Sequence, residues 1–159
     1  MTLSTHPRLG AKAPAFTLLD PSGEKVSLKD FAGKPVVLYF YPKAMTPGCT
    51  VQACGVRDAK AAFKKAGAVV LGVSIDAPAR LAKFAERDGL DFTLLSDEDH
   101  AVCDKYGVWQ EKTMAGRKYM GIVRTTFVIG ADGKVAHVMA KVNTKTHAED
   151  VLAVLNGLA

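Results

Sequence analysis

No stretch of the 159-residue sequence approaches the roughly 20 apolar residues that a membrane span requires. The opening residues, MTLSTHPRLGAKAPAF, lack the apolar centre of a secretory signal, so a cytoplasmic chain is expected. Repeats, low-complexity tracts and Pro/Gly/Ser-rich linkers are missing too, and one domain over residues 1–159 is expected. Cysteine is scarce, with three in the chain. An odd number without an export signal argues against a disulfide framework and for free thiols. There is no Cys-x-x-Cys, and the histidines (His6, His100, His137, His147) are scattered. That spacing excludes a structural zinc site, which pairs ligands two to four residues apart and repeats the pair downstream. Charge is not concentrated either. The net charge is +5, but basic and acidic residues are interleaved, and Lys64-Lys65 and the lysines of 141–145 read as solvated faces. No nucleic-acid footprint is expected.

What is present is an alternation of strands and helices. Residues 16–19 form a short apolar run, the cluster Asp20-Pro21-Ser22-Gly23 a turn, and residues 26–28 the return strand of an N-terminal β-hairpin. Residues 36–41 (VVLYFY) and 68–75 (AVVLGVSI) are continuous apolar runs that suit central strands buried on both faces. A helix is expected from Pro47 or Cys49 to Ala66, closed by Gly67, a second over 79–88 closed by Gly89, and a short one over 101–106 closed by Gly107. A third strand covers 92–95. Residues 110–120 are polar and read as an exposed loop or irregular edge. Residues 125–129 and 135–139 flank Ala131-Asp132-Gly133-Lys134, a hairpin signal, and 147–158 form a closing amphipathic helix. The order implies an α/β fold: a central mixed sheet with helices on both faces. It also places Cys49 just beyond the C-terminal end of a central strand, the edge where open α/β sheets bind ligands.

Cys49 follows a Pro-Gly turn at a helix mouth, and Cys54 lies five residues on. Unpaired N–H groups at a helix start and the positive end of its dipole favour thiolate, the reactive form of cysteine. The pair therefore reads as a nucleophile with a neighbour. Cys54 taken alone also fits a small buried helix residue. Cys103, between Val102 and Asp104, carries no motif and reads as a packing residue, with a backup thiol as the lesser alternative.

Pro42, Thr46 and Cys49 match the Pro-x-x-x-Thr/Ser-x-x-Cys motif of the peroxiredoxins. With Cys54, the segment resembles the bacterioferritin comigratory protein, or peroxiredoxin Q, subfamily. The blocks Lys12 to Leu18, Leu95-Ser96-Asp97, Tyr106-Gly107-Val108-Trp109 and Arg124-Thr125-Thr126-Phe127 resemble it as well, so the likeness covers nearly the whole chain. It implies a thioredoxin-like fold and a monomeric, thiol-dependent peroxidase that needs no cofactor and no metal. Hydrogen peroxide or an organic hydroperoxide is the implied substrate, and thioredoxin or a similar dithiol the implied reductant.

The residues fit such chemistry. Cys49 supplies the nucleophile, and the Thr46 hydroxyl can accept from peroxide and donate toward the thiolate. The backbone N–H groups of Gly48 and Cys49 can donate to a substrate oxygen, with Gly48 allowing close approach. Pro42 and Pro47 fix the loop. Arg124 is an ordinary strand-start arginine by pattern alone; the resemblance makes it the cation beside the thiolate. Phe40, Tyr41 and Met45 offer apolar surroundings for an alkyl group.

The resemblance further implies that Cys54 resolves a Cys49 sulfenic acid as an intramolecular disulfide. The subfamily's other resolving position corresponds to residues 82–87, where this chain has no cysteine. Positions i and i+5 of a helix lie about 140° apart around the axis and roughly 8–9 Å apart between Cα atoms. A disulfide needs about 4.4–6.8 Å, so the first turns after Cys49 must unwind before the bond can form. Gln52 departs from the Glu of many subfamily members, which predicts only a slight change at the helix start. Two rival readings share these cysteines: a thioredoxin-like disulfide reductase, which would normally carry Cys-x-x-Cys, and a redox-switched binding or holdase module.

Overall fold

The computed structural model describes residues 9–158, so His6 lies outside the described residues. The strands are β1 Thr17–Leu19, β2 Lys25–Ser27, β3 Val36–Phe40, β4 Val69–Ser74, β5 Thr93–Ser96, β6 Trp109–Met114, β7 Arg117–Ile122, β8 Thr125–Ile129 and β9 Val135–Met139. The helices are α1 Pro47–Asp58, α2 Lys60–Lys65, α3 Pro78–Asp88, α4 Ala101–Lys105 and α5 His147–Leu158. Seven strands form one sheet in the order β2-β1-β5-β4-β3-β8-β9. β3, β4 and β5 run parallel, whereas β1, β8 and β9 join antiparallel, which makes the sheet mixed as the sequence implies.

Strand β3 explains the two layers. Its residues are buried throughout and alternate between two cores. Val36, Leu38 and Phe40 face one cluster, completed by the N-terminal segment, by Val102 and Cys103 of α4 and by Tyr106 just after it. Val37, Tyr39 and the following Tyr41 face the other, built from α1, α2, α3 and α5 through Val56, Phe63, Phe84 and Val151. Period-2 alternation on a strand covered on both faces gives the unbroken apolar run read in the sequence.

Two expectations need correction. The long helix of residues 47–66 is two helices, because Ala59 leaves helical geometry at φ −93° and ψ 9° and its N–H is shared between Gly55 and Val56 carbonyls. No glycine or proline marks that bend. Residues 110–120, expected as a loop or irregular edge, belong to a regular two-stranded hairpin, β6 with β7, outside the main sheet. Its turn residues Ala115 and Gly116 both have positive φ, 53° and 79°. That left-handed pair matches the twist of a tight hairpin, although alanine is an unusual occupant of the first position.

Candidate active site

The site is assembled where β3 ends. After Phe40 the chain runs through a turn in which Met45 adopts a left-handed φ of 67°, and Thr46, extended at φ −81° and ψ 157°, precedes Pro47 as the first residue of α1. Proline suits this first position because its missing N–H would have no partner there. Thr46 makes no side-chain cap, and the first helical hydrogen bond runs from the Thr50 N–H to the Thr46 carbonyl at 2.8 Å. The N–H groups of Gly48 and Cys49 thus belong to the turn that has no intrahelical acceptor. Cys49 is buried, with its side chain in the core beside Tyr39 and Tyr41, while Cys54 is half-buried further along the same helix.

Topology delivers the arginine. β8 pairs antiparallel with β3 so that Thr125 lies opposite Phe40, and Arg124 immediately precedes Thr125. It therefore enters beside the end of β3 from the two-residue link after β7. Its Nη2 donates to Cys49 Sγ at 3.4 Å, and its Nη1 donates to Gln52 Oε1 at 2.5 Å. One planar guanidinium spans the thiol and the amide, a fork geometry lysine cannot reproduce.

Arg124 meets Cys49 and lies against Gly48, while Pro42 and Thr46 belong to the segment that leads from β3 into α1. The Thr46 hydroxyl donates to the Lys43 carbonyl at 2.9 Å and not toward Cys49, which leaves its lone pairs to accept. A Cβ at Gly48 would rest 3.5 Å from Arg124 Nη2, an ordinary contact, so the protein itself does not force glycine there. Phe40 packs on the opposite face of the sheet, because neighbouring strand residues alternate; Tyr41 and Met45 remain on the Cys49 side.

Three contributors were not among the residues expected at the site. Gln52 is fully buried and orients Arg124. Asp76 accepts the Ala44 N–H at 2.8 Å and the Ser74 hydroxyl at 2.7 Å, and pairs with Arg80 at 3.1 Å. Arg80 in turn donates to the Ala44 carbonyl at 3.1 Å, so both backbone groups of Ala44 are held. Only a departure from family pattern pointed toward Gln52, and nothing pointed toward Asp76 or Arg80.

Cys103 is separate from this site, buried on the other face of the sheet. Burial first, then its hydrogen bond to Asp97, pushes its thiol well above the usual range. The same carboxylate accepts the Cys103 N–H at 2.7 Å. These contacts make it a packing residue at a helix start and an unreactive thiol.

Residues 9–138 match the AhpC/TSA family model. The chain belongs to that family. It is 56% identical over 145 residues to the peroxiredoxin Bcp of Escherichia coli K12, covering 91% of this chain and 93% of that one. It is 51% identical to the putative peroxiredoxin bcp of Haemophilus influenzae, covering 94% and 97%. Among solved structures it is similar to peroxidoxin BcpB of Mycobacterium tuberculosis, with TM-score 0.86, 38% identity and coverage of 97% and 99%. It also resembles a peroxiredoxin Q of Xanthomonas campestris, with TM-score 0.86, 39% identity and coverage of 91% and 92%. The fold is thus thioredoxin-like and the protein a thiol-dependent peroxidase, an antioxidant oxidoreductase of the peroxiredoxin class. Among the described residues, no helix of this peroxiredoxin is long and apolar enough to cross a membrane.

Proposed function

We propose that this peroxiredoxin works as an atypical two-cysteine enzyme within one domain spanning residues 1–159. The Cys49 thiolate attacks the terminal peroxide oxygen; the O–O bond breaks, the alcohol or water leaves, and Cys49 becomes a sulfenic acid. Arg124 and the N–H groups of Gly48 and Cys49 stabilise the charge on the oxygens, and Thr46 accepts the peroxide O–H. Cys54 then attacks the Cys49 sulfur, expelling water and forming the Cys49–Cys54 disulfide. Thioredoxin or a similar dithiol returns both to thiols. The observation that carries this reading is the single guanidinium bonded to Cys49 Sγ at the open start of a helix.

Both hydrogen peroxide and organic hydroperoxides are taken as substrates. A structural neighbour from Xanthomonas campestris is described by its alkyl peroxide reduction activity, with TM-score 0.85 and 38% identity. Tyr41 and Met45 supply an apolar wall on the Cys49 side here. A monomer in the reducing cytoplasm suits an enzyme whose whole cycle uses one chain. The decisive experiment is intact mass of protein treated with one equivalent of peroxide. Wild type is expected to lose two hydrogens, and Cys54→Ser to gain oxygen on Cys49. A Cys49–Cys103 bond, or a Cys54→Ser protein that forms an internal disulfide, would overturn the assignment of Cys54.

A further inference from the structure

Resolution by Cys54 requires the start of α1 to unwind, so whatever holds that start folded governs the second step. One side chain from α3 does so. Arg87 Nη2 donates to the Thr50 hydroxyl at 2.9 Å, and Thr50 closes the first turn of α1 directly after Cys49. The guanidinium is aimed by Asp88, which accepts from Nε at 2.9 Å and pairs with Nη2 at 2.8 Å, and it lies over the Phe84 ring at 5.9 Å. The end of α3 is itself a fixed post. Leu81 and Phe84 are fully buried, Gly89 ends the helix in a left-handed cap, and Arg57 from the far half of α1 donates to the Asp88 carbonyl at 2.5 Å. One end of α3 therefore grips α1 twice: through Arg57 near the end of α1 and through Arg87 on its first turn.

We propose that Arg87 is a positioning residue that latches the first turn of α1 and thereby sets how Cys49 sulfenic acid is partitioned, an inference that rests on the two-cysteine reading above. While the latch is closed the sulfenic acid stays beside Arg124, where a second hydroperoxide can oxidise it to sulfinic acid and leave as alcohol or water. When it opens, Cys54 condenses with the sulfenic acid and water departs. Both routes use reactants the peroxidase cycle already contains. Closing the latch favours over-oxidation; opening it favours the disulfide.

The test compares Arg87→Met, which keeps an unbranched stem over Phe84, with Thr50→Val, which keeps the β-branched shape and helix propensity and removes only the hydroxyl. In the reduced proteins, amide hydrogen exchange across residues 50–54 is expected to quicken about five-fold, the factor a typical net hydrogen-bond contribution gives. Rapid-quench intact mass, timing the two steps separately, is expected to show an unchanged first oxidation and a disulfide step about five-fold faster. The peroxide dose that converts half of Cys49 to sulfinic acid should rise by the same factor. Thr50→Ser should behave as wild type, and the double variant should match either single. Unchanged exchange and unchanged partition in both single variants would overturn the latch, as would effects that multiply in the double variant. Because exchange in the reduced protein needs no peroxide, a Cys49 that failed to oxidise would count against the peroxidase reading while the latch was still decided.

Discussion

At Gln52 a neutral amide occupies the fully buried position that holds Arg124, and the guanidinium it orients is the one that reaches Cys49. A carboxylate there would pair with the same cation and draw its charge away from the sulfur. Gln52→Glu is expected to slow the first reaction with hydrogen peroxide by about two- to five-fold, with the fold intact; an unchanged rate constant would refute the argument. Cys103 gives the opposite case. Buried and tied to Asp97, it has no route to Cys49. Cys103→Ala is expected to consume peroxide at the wild-type rate while losing about 1–2 kcal/mol of stability for the small void it leaves, as denaturant unfolding would measure.

Among elements, the close contact between β3 and β4 depends on Gly72. A Cβ there would sit 2.9 Å from Cζ of Tyr39, whose ring is buried. Gly72→Ala must therefore displace a packed aromatic ring, and an unfolding midpoint shift worth about 1–3 kcal/mol is expected. The strands of this sheet were legible because β3 and β4 are unbroken apolar runs, and β8 and β9 flank a turn with Gly133 at φ 83°. The β6–β7 hairpin was not. Its strands are half-exposed to exposed over most of their length, so no apolar alternation marks them, and its turn places alanine where asparagine, aspartate or glycine usually signals the bend. The site divides in the same way. Cys49, Thr46 and Pro42 fall within one short segment and could be read as a motif, and Arg124 was reached through resemblance. Gln52, Asp76 and Arg80 act through contacts that only the folded chain creates, so no local pattern announces them.

On the scale of the whole molecule, His147 ties α5 to the sheet. It is buried at the helix start, lies 2.8 Å from the Thr126 hydroxyl of β8 through Nε2, and packs its ring 5.3 Å from that of Tyr39. Burial holds its pKa down to about 4, and the Arg124 charge adds to the effect. The unfolded chain binds a proton near pH 6.5 that the folded chain refuses, so stability is complete above that pH and falls as pH drops toward 4. The loss expected from this group approaches about 3 kcal/mol near pH 4. Denaturant unfolding at pH 7 and pH 5 should show the fall in wild type and a much smaller one in His147→Gln.

The double hold on Ala44 by Asp76 and Arg80 has a consequence for the chemistry that follows oxidation. In the two-cysteine cycle proposed above, the start of α1 comes apart and the freed segment is a tether fastened at both ends, at Ala44 beside the sheet and at Val56 in the core. A short chain with two fixed ends explores a small volume, so Cys54 meets the oxidised sulfur at an effective concentration set by tether length. Dilution of the protein leaves that concentration untouched. The disulfide step should therefore keep the same rate constant whether the enzyme is abundant or scarce.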